Sequence, residues 1–132
     1  MEHLKELLEE EISEAGVRLA KAKLAEEEGL NEAASVLREV AIDEARHATL
    51  IARLIPQDVF KDTKSNVMGA IDVDSGAAER EKDFARKARN AGMEEAAKLF
   101  EQLLVDEMEH VRKLREIVNK LRGTEGGSQE VE

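Results

Sequence analysis

The chain has 132 residues, room for one domain with a core of ordinary size, and its 42% apolar content is too high for a disordered chain. Thirty acidic side chains against 20 basic ones leave a net charge of −10, which repels phosphate backbones and speaks against nucleic acid as a partner. The absence of Cys excludes disulfides, thiolate metal sites, cysteine-ligated iron–sulfur clusters and thiol nucleophiles.

Ala, Glu, Lys, Leu and Arg fill more than half of the chain, the composition of long helices, and strand formers are scarce, with three Phe and no Tyr or Trp. Punctuation divides the chain into four helices. The first is expected over residues 2–28 and stopped by Gly29, which can take the left-handed conformation just past a helix end. Asn31 is the expected cap of the second, which runs to about Leu54 before Pro56 blocks continuation. Asp62, Thr63 and Ser65 are candidate caps for the third, which reaches about Asn90 and closes at Gly92. The fourth spans about Glu94 to Leu121. Residues 1–122 thus read as one all-α domain, and 123–132, Gly-rich and acidic, as a disordered tail. No run is long and apolar enough to span a membrane. The N-terminus MEHLKELLEEE is charged throughout rather than a secretion signal, so the expected location is the cytoplasm.

Residues 11–47 repeat as residues 74–110. Ala15 matches Ala78, Ala22 matches Ala85, Ala25 matches Ala88 and Gly29 matches Gly92. The run Glu32-Ala33-Ala34 matches Glu95-Ala96-Ala97, and Asp43, Glu44 and His47 match Asp106, Glu107 and His110. Two copies of one helical hairpin, each burying a stripe, make a four-helix bundle. The stripes alternate four- and three-residue steps. Helix 1 gives Leu4, Leu8, Glu11, Ala15, Arg18, Ala22, Ala25, and helix 2 gives Ala33, Leu37, Val40, Glu44, His47, Ile51, Leu54. Helix 3 gives Val67, Ile71, Asp74, Ala78, Glu81, Ala85, Ala88, and helix 4 gives Ala96, Phe100, Leu103, Glu107, His110, Leu114, Ile117.

Every stripe carries a carboxylate at mid-helix. Four such groups cannot share an interior bare, because each loses hydration and their charges repel. Two divalent cations supply four positive charges against four negative ones. Glu-x-x-His sets both side chains on one helix face, so one helix offers two donors to one centre. One such match is weak evidence in so acidic a chain. Two at equivalent repeat positions inside apolar seams are strong. Carboxylate and imidazole donors suit iron or manganese, and zinc is compatible with them.

On these residues the chain resembles the rubrerythrin branch of the ferritin-like di-iron carboxylate proteins. The resemblance rests on Glu11, Gly29 and Asp43-Glu44-Ala45-Arg46-His47, with the second copy Asp74, Gly92 and Asp106-Glu107-Met108-Glu109-His110, and covers nearly all of residues 1–122. It implies a ferritin-like four-helix bundle holding two iron ions. Glu44 and Glu107 would bridge the metals, Glu11 and Asp74 would be terminal ligands, and His47 and His110 would give one nitrogen each. No catalytic residue beyond the ligands is implied. Asp43 and Asp106 are candidates for orienting the imidazoles.

Three departures from the family pattern stand out. Asp74 replaces a Glu and reaches one methylene less far. Ala77 stands where the family carries a further Glu, and the repeat-related Glu14 is either that carboxylate moved to helix 1 or an exposed helix charge. Arg18 and Glu81 occupy seam positions, where a Tyr often follows the helix-1 ligand. They are expected to form an ion pair or to reach out to solvent. With no Tyr, a tyrosyl radical is excluded.

The implied function is a non-haem di-iron oxidoreductase that reduces hydrogen peroxide, or O2, with an external electron donor such as a rubredoxin, since the chain has no Cys for an iron centre of its own. The rival readings are ferroxidase or iron handling, and a metal-free helical scaffold. In ferritin-like bundles helices 2 and 3 run the same way. The roughly eight residues between them reach about 27 Å against a span of about 30 Å. A homodimer swapped at the hairpin is therefore expected, though a frayed turn at each helix end would restore the unswapped form.

Overall fold

The computed structural model describes residues 2–56, 60 and 62–125, with side chains described as far as Gly123. The protein is all-α, with no strand among the described residues. The helices are α1 (Glu2–Glu27), α2 (Asn31–Ala52), α3 (Thr63–Asn90) and α4 (Glu94–Glu125). They form two compact units, Met1–Lys61 and Asp62–Glu132, in which α1 pairs with α2 and α3 with α4. No helix is long and apolar enough to cross a membrane.

Both hairpins turn by the same device. Gly29 has φ +80° and Gly92 φ +76°. In the first turn Gly29 N–H donates to Glu26 O at 3.0 Å and Leu30 N–H to Ala25 O at 2.9 Å. In the second, Gly92 N–H donates to Arg89 O at 3.0 Å and Met93 N–H to Ala88 O at 2.8 Å. These bonds satisfy the last carbonyls of α1 and α3 through a left-handed residue that only Gly adopts without strain. Leu30 and Met93 then accept from Ala34 and Ala97 N–H and so start the next helix at once. Leu30 is thus the N-cap of α2, with no side-chain cap, and the expected cap Asn31 is already the first helical residue. The Gly29 turn leaves no spare residue before the helix. At α3 the expectation holds: Asp62 Oδ1 accepts from Ser65 N–H at 2.8 Å.

The hairpin interfaces are lined by small side chains. In the first, Ala15, Ala22, Ala25, Ala34, Ala41, Ala48 and Ala52 are buried, and a cluster of Leu8, Ala48, Ala52 and Ile55 closes the open end, with Leu4 and Ile51 against it. In the second, Ala77, Ala85, Ala88, Ala97 and Val118 are buried, and the Phe84 and Phe100 rings pack tilted at 5.5 Å between centroids. The expected seam is shifted in α2, where Ala34, Ala41 and Ala48 point into the pair while Ala33, Val40 and Leu54 are exposed. Ile117 of α4 is exposed too. Two helices alone bring their backbones closest along the Ala row, and the bulkier row is left on the flank.

α4 continues through Gly123 to Glu125, into the segment expected as a tail. A Gly inside a helix costs about 1 kcal/mol, and Gly123 has no positive φ to stop propagation. The remainder of that expected tail, 126–132, lies outside the described residues.

Candidate metal centre

In the second hairpin α3 supplies Asp74 and α4 supplies Glu107 and His110. One ligand atom from each lies within 4.8 Å of the others. The Glu-x-x-His spacing on α4 does what a helix dictates: His110 Nδ1 sits 3.1 Å from Glu107 Oε1. The Glu107 side chain is 17% exposed and that of His110 53%, so the group opens from a sheltered carboxylate to an accessible imidazole. Glu81, one seam step further along α3, was not among the expected ligands. Its Oε2 is buried without a hydrogen-bond partner. Burial and then the negative charge of Glu107 push its pKa up, with Asp106 and Asp74 adding to this and Arg80 opposing it. The signal in the sequence is its seam position, where an ion pair with Arg18 or a reach to solvent is expected.

In the first hairpin Glu11 of α1 and His47 of α2 meet, with Glu11 Oε2 3.4 Å from His47 Nδ1. Glu44 is the one charged residue among the buried side chains described. It is held by Arg18, whose Nη1 also donates to Glu14 Oε2 at 2.8 Å. Arg18 is thereby taken up inside its own hairpin. Burial pushes the Glu44 pKa up, reinforced by Glu14 and opposed by Arg18. Glu14 moves the other way, its carboxyl held low chiefly by its hydrogen bond from Arg18. Its side chain is 46% exposed, and its partner here is the arginine.

The seven expected ligands therefore fall into separate groups. Asp74, Glu107 and His110 converge. Glu11 and His47 pair. Glu14 and Glu44 share a guanidinium. Asp43 and Asp106 do not orient the imidazoles: Asp43 lies 3.9 Å from Arg46, and Asp106 accepts from Gln102 at 3.0 Å. Four residues before the His, each carboxylate sits on the exposed flank, where polar neighbours on the same helix claim it.

Asp74, Glu107 and His110 fit a divalent cation. Glu11 Oε2, Glu44 Oε1 and Glu81 Oε2 are buried oxygens with no hydrogen-bond partner, and such atoms are costly unless a cation or proton meets them. Oxygen donors with one imidazole per hairpin suit iron or manganese. The sequence pattern of the rubrerythrin family matches residues 65–132. Over 110 residues the chain is 32% identical to reverse rubrerythrin-1 of Clostridium acetobutylicum, an alignment covering 83% of this chain.

The chain belongs to the rubrerythrin family. It spans 61% of the length of that clostridial rubrerythrin. It is also 32% identical over 112 residues to an uncharacterized protein of Methanocaldococcus jannaschii, covering 85% of this chain and 79% of that one. No solved structure matches it at a significant level. Membership in the family and the all-helical fold agree with the ferritin-like expectation and support a di-iron protein.

Proposed function

We propose that this chain is a non-haem di-iron oxidoreductase that reduces hydrogen peroxide, or O2, with electrons from an external donor such as a rubredoxin. The convergence of Asp74, Glu107 and His110 in one hairpin carries this reading. Glu11, Glu44 and His47 would be the ligands of the first hairpin, where Glu14 is hydrogen-bonded to Arg18. When bound, the two irons supply one electron each for a two-electron reduction. The reaction H2O2 + 2 H⁺ + 2 e⁻ → 2 H2O also needs protons. Glu81 is suited to hold one at Oε2, since its surroundings favour the protonated acid.

The proposed assembly is a homodimer swapped at the hairpin. Ile55 is 2% exposed and anchored on the Leu8 cluster. With Ile55 held there, the seven residues 56–62 could span at most about 23 Å, against the roughly 30 Å that an unswapped ferritin-like bundle would require. Each hairpin also leaves large apolar side chains outside, among them Leu19, Ile42 and Leu50 in the first and Val73, Leu99 and Val105 in the second. A second copy would cover them. Light scattering at micromolar concentration should give a dimer, and a monomer would overturn the swap.

The test of function is peroxide consumption by iron-loaded protein with a reductant. Turnover that scales with bound iron and stops in a Glu107→Gln, His110→Ala variant supports the reading. Iron uptake and oxidation without peroxide turnover would favour iron handling instead. Unchanged helicity and melting after chelation, with no metal bound, would favour the scaffold.

A further inference from the structure

The two hairpins carry opposite charges at one repeat-equivalent position. Arg18 of α1 corresponds to Glu81 of α3, just as Glu11 corresponds to Asp74 and Glu44 to Glu107. The consequence is electrostatic. In the first hairpin one guanidinium already serves the two carboxylates Glu14 and Glu44. In the second, Asp74, Glu107 and Glu81 crowd together, and Glu81 Oε2 has no partner. A divalent cation arriving at the second hairpin meets donors to which Arg80 adds positive charge through space, while Glu81 Oε2 stays without a hydrogen-bond partner. At the first it meets donors already partly neutralised.

The occupied end still has the character of a ligand site. The Glu44 side chain is 10% exposed, and while its Oε2 faces Arg18 its Oε1 is buried and unpartnered. Arg18 is 35% exposed and reaches the cluster from the solvent side on a long flexible stem. Such a side chain can leave without unfolding α1. Glu14, one turn back on the same helix, would keep hold of it after Glu44 is released, because their bond spans a single i to i+4 step.

We infer that Arg18 is a built-in counter-ion that occupies Glu44 in the metal-free first hairpin, so that metal loads first at Asp74, Glu107 and His110 of the second hairpin and is taken up at Glu44 only by displacing the guanidinium onto Glu14. This rests on the di-metal reading above and adds an order of filling to it. The role of Glu14 changes accordingly: it is the parking place of the arginine rather than a ligand. The arrangement also explains how a buried Glu44 is tolerated before metal arrives, since an unpaired buried carboxylate is strongly unfavourable. No bond is made or broken in the exchange beyond ion pairing, and no electron moves.

The experiment is an anaerobic Co(II) titration of the full chain, read from the visible ligand-field bands, together with melting of the metal-free protein. Four proteins are compared: wild type, Arg18→Met, Arg18→Gln, which keeps a hydrogen-bond donor but no charge, and His110→Ala. Wild type should bind its first equivalent at least tenfold more tightly than its second. In both Arg18 variants the second equivalent should tighten by tenfold or more and the gap should narrow. Both should melt lower than wild type without metal, and gain more from metal than wild type does. A second equivalent that is unchanged or weaker in the Arg18 variants would overturn the inference while leaving the di-metal reading intact, because it would make Arg18 a support for Glu44 rather than its competitor. A His110→Ala variant that lost only the weaker phase would also overturn it. No cobalt bound by any of the proteins would remove the di-metal reading, and this inference with it.

Discussion

The two hairpins share a turn and a Glu-x-x-His, yet they handle buried charge differently. The first ties Glu14 and Glu44 to its own arginine and leaves Glu11 Oε2 and Glu44 Oε1 without a hydrogen-bond partner, while the second gathers Asp74, Glu107 and His110 and leaves Glu81 Oε2 without one. Duplication fixed the backbone device: both turns use a left-handed Gly and the same pair of hydrogen bonds. The side chains inside were free to diverge. The lesson is that a repeat can keep the positions of its groups while a change of sign at one seam position, Arg18 against Glu81, changes which of them find a partner.

The sharpest way to break this comparison mechanically is at the open end of the first hairpin. Leu8 is 5% exposed in a cluster whose other members are two Ala and Ile55. Leu8→Ala should cost about 3 kcal/mol in chemical denaturation. Its effect should appear in a probe of the first hairpin, such as amide exchange in α1 and α2, before one of the second. Equal loss in both would mean the hairpins unfold as one.

Next comes the metal asymmetry. His110→Ala should weaken the tightest metal equivalent by about a hundredfold, and His47→Ala should act mainly on the weaker one. Calorimetric titration distinguishes the two, and identical effects would erase the proposed difference between the ends. Smaller again are the turns. Gly29→Ala and Gly92→Ala should each cost about 1 kcal/mol, because a Cβ meets no neighbour at either site and only the positive φ is strained. Unequal costs would show that the turns are not energetic copies.

Two pH effects sharpen the contrast further. The hydrogen bond from Ser65 N–H holds the Asp62 carboxyl below its ordinary 3.8. The cap therefore contributes stability above that value and loses it as pH falls through the lower folded pKa. Asp62→Ala should lower the melting temperature by a few degrees at neutral pH, with the difference shrinking in strong acid. Glu81 has the opposite sign. Its folded pKa lies above the ordinary 4.5, so its ionisation opposes folding. The metal-free protein should gain stability from this group as pH falls through the folded pKa toward 4.5. Glu81→Gln should therefore melt slightly higher than wild type at pH 7 and match it near pH 4.5. A Gln variant that melts lower at pH 7 would place Glu81 in a favourable ion pair instead.

Much of this was legible in the sequence for local reasons. Gly29, Gly92 and Asp62 act through their own backbone neighbourhoods, and Glu107 and His110 meet because a helix turn brings i and i+3 together. The inward face was harder to read. The spacing supports two adjacent stripes on α2, and only the close approach of paired helices selects Ala34, Ala41 and Ala48 over Ala33 and Val40. The fate of Arg18 was also hidden. A long cation on a seam can reach several acids, and which one it takes depends on the rotation of α1 against α2. Glu81 was passed over for the same reason, since its orphaned oxygen appears only once Arg18 is committed elsewhere.

The carboxylates and imidazoles of this chain are proposed to hold two metal ions. Anaerobic Fe(II) titration of metal-free protein, with metal analysis of the product, tests this most directly. The account predicts a break at two irons per chain, with a rise in melting temperature that chelation reverses. Binding no greater than that of a Glu107→Gln, His110→Ala variant, or melting indifferent to iron, would contradict it.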